Sequence, residues 1–310
     1  MSDRRRLNGP AGTTSPPVFT PSTGSAISPQ YRSRKPNELR KIFLQTGVVP
    51  SATGSAYLEL ESPPRSRSTV LNTSSTIKLS CSVHGPKPLP RTASFSPNLQ
   101  LSASVKFAPF ATRNRQGYVR DSTERDIGMH LENALKGVII PDRWPKSAID
   151  IAVTVLEGED DQIDGDRIVG VGLVNMLAGC INVSMAALAD ARVDCLDLLA
   201  AGVGAIVAGP EKPLRILDPA SIEHEAILAS CLVGYLPSRD ELVEVWTNGS
   251  SSTQGANAGI SFDEMLDSAV AAARGAQTVI KEVLVEALTK TKGGTKKLSH
   301  DHMNDVEMKT

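Results

Sequence analysis

The chain has 310 residues, of which 40% are hydrophobic but only 4% are aromatic, and its formal net charge is −1. A chain of this length can bury a sizeable core, which here must be aliphatic and rich in small side chains. The cysteine spacing excludes a disulfide framework or a zinc framework, because each cysteine stands alone in an apolar run; we expect four buried, reduced thiols. They are Cys81, Cys180, Cys195 and Cys231.

The charge is unevenly distributed, since residues 1–41 hold eight basic side chains against two acids. Residues 1–36 are also rich in Ser, Pro, Thr and Gly, so we predict that they form a disordered basic arm. Such an arm favours RNA, DNA or an acidic protein surface, but it can equally be a solubilising tail. The composition leaves both interpretations open.

Alternation of apolar and polar residues predicts half-buried strands in the first half of the chain. The clearest patterns lie over 76–83 and 99–107, and a shorter one lies over 56–60. The segment SPPRSRS, residues 62–68, is typical of an exposed hairpin loop.

A helix is predicted after Asp121, which can cap it, while Glu124 three residues later completes a capping box. The second half of the chain is predicted to have the same architecture, with strands covered by a helix. Its predicted elements are a strand over 149–155, an apolar helix over 168–189, strands around 194–217, 226–236 and 241–247, and a final helix from Ser261.

The apolar segment 168–189 contains no charged residue and is long enough to span a bilayer. However, it contains Asn175, Asn182 and Ser184, and it lacks flanking aromatic or basic anchors. A helix buried between sheets explains the segment better, so we expect no membrane association.

The loop before this helix is acidic, although the N-terminus of a helix that follows a strand is suited to phosphate binding. One carboxylate about 5 Å from a bound phosphate, at an effective dielectric of about 20, would weaken phosphate binding by about 3 kcal/mol through charge repulsion. Only Arg167 offers a compensating positive charge. The acids are better explained as partners of the helix dipole. The spacing imitates a calcium loop, but Val171 stands where a glutamate is required, so we expect no metal. The carboxylates are Glu157, Glu159, Asp160, Asp161, Asp164 and Asp166.

A basic cluster follows the strand that ends in FAPFAT, residues 107–112. Arginines at a strand exit can hold phosphates with two hydrogen bonds each, or they can form a solvated turn paired with neighbouring acids. The residues by themselves leave both interpretations open. The cluster consists of Arg113, Arg115, Arg120 and Arg125.

Other candidate motifs are weak. Gly202 and Gly204 lie inside an apolar run and complete neither a dinucleotide-binding motif nor a P-loop, so we expect them to allow close packing. No nucleophile elbow presents a serine, and the five histidines show no metal-ligand spacing. We therefore predict neither a bound cofactor nor a metal.

Taken in order, several segments of the chain resemble the RNase PH family of phosphorolytic exoribonucleases, over roughly Asn37 to Leu288. They are NELRKIFLQTGVVPSATGSAYLEL, VHGPKP, FAPFATRNR, VTVLE and ALADARVDCLDLLAAGVGAIV. The resemblance implies a duplicated α+β fold of the ribosomal protein S5 domain 2-like type, and assembly into six-membered rings around an RNA channel. We assign this domain to residues 37–290 and predict a disordered tail over 291–310.

The resemblance also implies which residues act. Catalytic members hold phosphate on a Gly-Thr-Arg or Gly-Ser element, where this chain has the acidic sequence GEDDQIDGDR, residues 158–167. Asp218 matches the first acid that follows a Leu-Asp pair in the family, but His224 falls near the position of the second, catalytic aspartate. The predicted RNA-binding residues are Arg113, Arg115 and Arg120, and no catalytic residue is expected.

We therefore expect a non-catalytic RNase PH-like ring subunit of the RNA exosome, which scaffolds the complex and lines the RNA path in 3′–5′ RNA processing. The alternative is an active phosphate-dependent 3′–5′ exoribonuclease. The expected partners are other RNase PH-like exosome subunits in a hetero-hexameric ring, an S1-domain cap protein and RNA. The expected location is the nucleus and nucleolus, and also the cytoplasm.

Overall fold

The structure is a computed structural model that describes most of the chain between residues 32 and 307. The described residues are 32–61, 77–90, 92, 95–111, 117, 119, 121–159, 170–208, 213–221, 223–224, 227–249 and 262–307, with side chains described up to 290. The predicted hairpin loop over 62–68, most of the acidic loop, and Ser261 lie outside these residues.

The first sheet has five strands in the order β1-β2-β3-β5-β4. All neighbours are antiparallel except β4 and β5, which run parallel, so both of these strands end at the same edge of the sheet. The strands are β1 (Ile42–Thr46), β2 (Gly54–Leu60), β3 (Lys78–Pro88), β4 (Gln100–Phe107) and β5 (Ser147–Glu157).

Alternating burial in β3 confirms the predicted half-buried strand, because Leu79, Cys81 and Val83 face the core while their neighbours are partly exposed. The strand β1 was not predicted. Only Leu44 is buried among its five residues, so an edge strand of this kind carries almost no alternation in its sequence.

The first helix, α1 (Ser122–Lys136), begins as predicted. Asp121 caps it, and both halves of the capping box with Glu124 are present. Glu124 also accepts a hydrogen bond from the backbone N–H of Phe107 at 2.7 Å, so the same side chain ties the start of α1 to the end of β4. A short 3-10 helix, Pro141–Arg143, then leads into β5.

The second sheet has four antiparallel strands in the order β7-β6-β8-β9. They are β6 (Ala200–Val207), β7 (Leu214–Leu217), β8 (Ile227–Leu236) and β9 (Glu241–Gly249). Two strand-rich halves, each covered by a helix, confirm the predicted α+β class.

The helix α2 (Val171–Asp190) lies between the halves and packs against β2 and β3 of one sheet and β6 and β8 of the other. It is the one helix among the described residues that is long and apolar enough to cross a membrane, but 94% of that apolar window is buried inside the protein. The prediction of a buried core helix is therefore confirmed.

The last helix, α3 (Phe262–Glu307), has 46 residues and covers β6 and β8. The helix continues through 291–307, a segment for which the composition predicted a disordered tail. A helix that is already nucleated gains one hydrogen bond for each residue it adds, so its continuation costs less than a new start.

Close packing of β6 against α3 explains the glycine pair in β6. A Cβ atom at Gly202 would lie 2.1 Å from the backbone nitrogen of Ala273, and one at Gly204 would lie 2.7 Å from the carbonyl oxygen of Met265. Backbone atoms of a helix cannot yield as a flexible side chain can, so only glycine permits this approach. The expectation of a packing role is confirmed.

We predict that Gly202→Ala destabilises the chain, because the added methyl group overlaps helix backbone and overpacking of this kind costs about 1–3 kcal/mol or more. Gly234→Ala in β8 is the matched control, since its Cβ would meet its nearest atom at 3.4 Å. The control should leave stability unchanged or raise it by up to about 1 kcal/mol. Urea unfolding followed by tryptophan fluorescence measures both, and equal midpoints for the two variants would contradict this account of the packing.

Candidate functional site

Three segments that are far apart in the sequence meet beyond the end of β5 and bring six charged side chains together. The segments are the stretch before β1, the two residues after β5 and the loop that follows β7. We call the set the charged cluster; it consists of Arg32, Arg34, Arg40, Glu159, Asp218 and Glu223.

Arg40 occupies the centre of the charged cluster, and its side chain is only 5% exposed. Its Nη2 atom donates to Oδ1 of Asp218 at 2.6 Å, and its backbone N–H donates to Oδ2 of the same carboxylate at 2.8 Å. Its Nη1 atom lies 3.4 Å from Oε2 of Glu159. One guanidinium thus joins the loop after β7 to the end of β5.

The ion pair shifts both pKa values in the direction that favours charge. Burial alone would raise the pKa of the Asp218 carboxyl, but the charge of Arg40 and its hydrogen bonds outweigh burial and lower that pKa to about 2. Burial would lower the pKa of Arg40, yet the charges of Asp218 and Glu159 raise it above its usual value. Asp218 also has a positive φ of 48°, a conformation that aspartate tolerates better than most residues.

Glu159 is buried and receives four donors. Its Oε1 atom accepts from the backbone N–H of Ser221 at 2.8 Å and from the Ser221 hydroxyl at 3.2 Å. Its Oε2 atom accepts from Nδ2 of Asn175 on α2 at 2.8 Å, besides the guanidinium of Arg40. A buried carboxylate satisfied in this way is a fixed structural charge.

Arg32 and Arg34 complete the charged cluster through Glu223. Nη2 of Arg34 lies 2.9 Å from each oxygen of that carboxylate, and Nη1 of Arg32 lies 3.4 Å from one of them. Arg32 also donates to the backbone carbonyl of Leu217 at 3.0 Å. The predicted disordered arm over 1–36 therefore needs correction: its last residues are anchored by buried ion pairs, while 1–31 lie outside the described residues.

The charged cluster is electrically balanced, with three guanidinium groups facing three carboxylates. A phosphate entering here would compete with carboxylates that are already fixed by hydrogen bonds, and it would meet their repulsion at short range. Within the described residues, the charged cluster therefore offers an incoming anion no uncompensated positive charge.

His224, near the position where the resemblance places a catalytic aspartate, lies beside Glu223 and is partly buried. Its Nε2 atom is buried without a hydrogen-bond partner among the described residues. Burial lowers the pKa of His224; the charge of Glu223 opposes this, and the charges of Arg32 and Arg34 lower the pKa further. A neutral imidazole here cannot supply the negative charge of a carboxylate.

The predicted RNA-binding residues Arg113, Arg115 and Arg120 lie outside the described residues, so their role stays a prediction. The structure does describe both flanks of their segment. On one side β4 ends in a turn, and on the other the capping box begins α1. Glu124 is buried with both oxygens bonded to backbone N–H groups, so it is poorly placed to neutralise these arginines in a solvated turn.

Of the acidic loop, only its first two carboxylates are described. Glu157 forms an ion pair with Lys78 at 3.0 Å, and Glu159 belongs to the charged cluster. The first turn of α2 holds no acidic residue, and Gly170 at its N-cap offers no side chain. These two acids are therefore bound to cations and not to the helix dipole, in contrast to the expectation for the loop as a whole.

Residues 38–194 match the 3′ exoribonuclease family, domain 1 (RNase PH). The chain is 48% identical to exosome complex component MTR3 of Chaetomium thermophilum, over 94% of this chain and 100% of that protein. It is 30% identical to the mtr3 component of Schizosaccharomyces pombe, over 81% of this chain and 86% of that protein. Among solved structures, rice Rrp46 shares the fold with a TM-score of 0.59 and 17% identity, covering 81% of this chain and 98% of the rice chain.

We predict that Arg40→Gln lowers the free energy of unfolding by about 3–5 kcal/mol, because it leaves Asp218 and Glu159 buried without their main counter-charge. Lys41→Gln removes the same charge from the next residue, whose ion pair with Glu61 is exposed, with the lysine side chain 85% accessible. In this control the free energy of unfolding should fall by less than about 1 kcal/mol. Equal urea midpoints for the two variants would show that the charged cluster does not tie the segments together.

We also predict a pH dependence that originates at His224. Its folded pKa lies below the unfolded value of about 6.5, so the unfolded state binds more protons below that pH and stability falls as the pH falls. Protonation of Asp218 also lowers stability, but only below about pH 4, where an unfolded aspartate begins to bind a proton. Between about pH 7.5 and 5.5, the unfolding free energy of His224→Gln should therefore fall less than that of the wild type. Parallel curves for the two chains would contradict the assignment.

Proposed function

Because the chain belongs to the RNase PH family of 3′ exoribonucleases, we propose that it is a non-catalytic ring subunit of an RNA exosome. In this role it scaffolds the complex and lines the path of RNA toward 3′–5′ processing and degradation. The similarity to proteins named exosome complex component MTR3 extends over nearly the whole chain, which supports an equivalent place in the complex.

The balanced charged cluster is the observation that supports the lack of activity. Phosphorolysis requires a phosphate held beside an acid, but the arginines here are matched by Asp218, Glu159 and Glu223. His224 stands near the position where a catalytic aspartate is expected. The alternative, an active phosphate-dependent exoribonuclease, would need a phosphate pocket and an acid built from other residues.

The proposed partners are other RNase PH-like subunits, with which the chain forms a hetero-hexameric ring. Similarity to subunits named Rrp41 and to rice Rrp46 supports this proposal, since related chains can supply related contact surfaces. We extend it to an S1-domain cap protein and to RNA, with a location in the nucleus, the nucleolus and the cytoplasm.

RNA contact is assigned to Arg113, Arg115 and Arg120. In the sequence they follow a turn at the edge where the parallel strands β4 and β5 both end, and one neighbouring acid, Glu124, is buried with both oxygens bonded to backbone N–H groups. Arginine contacts to phosphates fix the position of a strand without selecting its sequence. The proposed contact is therefore electrostatic and independent of base identity.

The purified chain, supplied with RNA and inorganic phosphate, should release no nucleoside diphosphate. His224→Asp, which restores the expected acid, should remain equally inactive, because the charged cluster still offers no phosphate site. An active RNase PH, assayed beside the wild-type chain and the His224→Asp variant, confirms that the conditions permit phosphorolysis. Phosphate-dependent release of nucleoside diphosphates by the wild-type chain would overturn the proposal.

A further inference from the structure

A small cavity lies at the seam between the two halves of the fold, beside the charged cluster. Its volume is about 40 Å³, and it is bordered by β1, β2, β6, α2 and α3. Most of the residues that line it are apolar side chains or glycines, but four are polar: Arg40, Asn175, Asn182 and Asp218. The occupant of the cavity therefore depends on which of these polar groups have unused hydrogen-bonding capacity.

The side chain of Asn175 has an oxygen without a hydrogen-bond partner. The residue is 2% exposed, and its Nδ2 atom donates one hydrogen to Oε2 of Glu159 at 2.8 Å and the other to the carbonyl oxygen of Pro219 at 2.6 Å. Rotation of the amide by 180° would point Oδ1 at these two acceptors, so the contacts fix which atom is the nitrogen. Oδ1 is buried with no donor among the described residues, and an acceptor in this state costs free energy.

Two other side chains of the cavity have donors to spare. Oδ1 of Asn182 accepts from the backbone N–H of Ala201 at 2.8 Å, and its Nδ2 atom donates to the carbonyl of the same residue at 3.0 Å. Within the part of the chain that the structure describes, the second hydrogen of this Nδ2 has no acceptor. Each terminal nitrogen of the Arg40 guanidinium likewise carries two hydrogens but meets one described acceptor. A water molecule suits such a site because it both donates and accepts.

The dimensions of the cavity also fit water. A buried water requires about 10–15 Å³ of such space, so a volume of about 40 Å³ holds about two or three molecules. Asn175 and Asn182 lie two turns apart on one face of α2, which separates their Cα atoms by about 10.5 Å. Two or three waters in series span about 8–11 Å, at about 2.8 Å for each hydrogen bond. The volume and the spacing of the two asparagines therefore agree.

We propose that this cavity binds a chain of about two or three ordered water molecules. The first water donates to Oδ1 of Asn175, the chain runs along α2 toward the spare hydrogen of Asn182, and the guanidinium of Arg40 supplies a further donor. The waters connect the segment before β1 to the central helix, and they extend the charged cluster into the seam between the halves. The inference does not rest on the proposed function, because it concerns contacts inside the chain.

A crystal structure of the full chain, alone or in its complex, tests the site directly at a resolution that shows water. We expect about two or three ordered waters, the first at about 2.7–3.2 Å from Oδ1 of Asn175. The competing state is a dry cavity, since apolar cavities stay free of water and bind xenon. A cavity without ordered water density, or one that binds xenon in pressurised crystals, would overturn the proposal.

Substitutions at Ala272, a buried residue of α3 that lines the cavity, test the same claim in solution. Valine and threonine are both β-branched and of similar shape, so crowding and helix propensity affect Ala272→Val and Ala272→Thr alike. Either side chain displaces water, but only the threonine hydroxyl can replace a lost hydrogen bond. The unfolding equilibrium constant of the threonine variant should therefore be roughly 2- to 12-fold lower than that of the valine variant, as measured by urea unfolding.

The same pair of substitutions at Ala271 is the matched control, because this neighbouring residue of α3 is exposed and does not line the cavity. Ala271→Val and Ala271→Thr should agree within about twofold in their unfolding equilibrium constants. A valine variant at position 272 that is at least as stable as the threonine variant would contradict the inference, since a dry cavity favours the apolar side chain. If neither variant at position 272 folds, the crystal structure of the wild-type chain decides.

Discussion

The contact between Arg40 and Asp218 is the constraint on which the arrangement of the site depends. It joins residues that are 178 positions apart, and through Glu159 it extends to the end of β5 and to Asn175 on α2. A buried ion pair adds little net stability compared with an apolar contact, but the loss of one partner is costly. Its effect is therefore to specify one arrangement of the segment before β1, the first sheet and the loop after β7.

The same constraint has a consequence for function. The guanidinium groups that could attract a phosphate are already paired with internal carboxylates, and these carboxylates accept further hydrogen bonds. In the proposed function, this part of the fold has a structural role in place of phosphorolysis, and the chain keeps the fold of an exoribonuclease family without its chemistry.

Local patterns predicted the elements whose signals lie within a few residues. Alternation around Leu79 predicted β3, the Asp121 and Glu124 pair predicted the start of α1, and the uncharged run predicted the buried helix α2. The strand β1 escaped prediction because its pairing with β2, and not its own alternation, holds it in the sheet. The relatives confirm the resemblance to RNase PH. They also confirm a resemblance to the mRNA-transport-regulator type of exosome subunit, which is indicated by the run LLAAGVGAIVAG followed by LRILDPASIEHEA.

The charged cluster could not be predicted from local patterns. Arg32 and Arg34 lie in a stretch whose composition is typical of disorder, and nothing nearby indicates that Glu223 will bind them. Charged residues become core residues only when the fold brings their partners together, so the information is contained in pairings across the whole chain. Asp218 and His224 were identified through the family resemblance, which gave their positions but not their partners.

Native mass spectrometry of the tagged chain, captured from its own cell extract, would test the proposed ring directly. We predict a hetero-oligomer that contains this chain together with several related RNase PH-like subunits. A homo-hexamer would contradict it, because a ring built from one kind of chain must carry its own active sites.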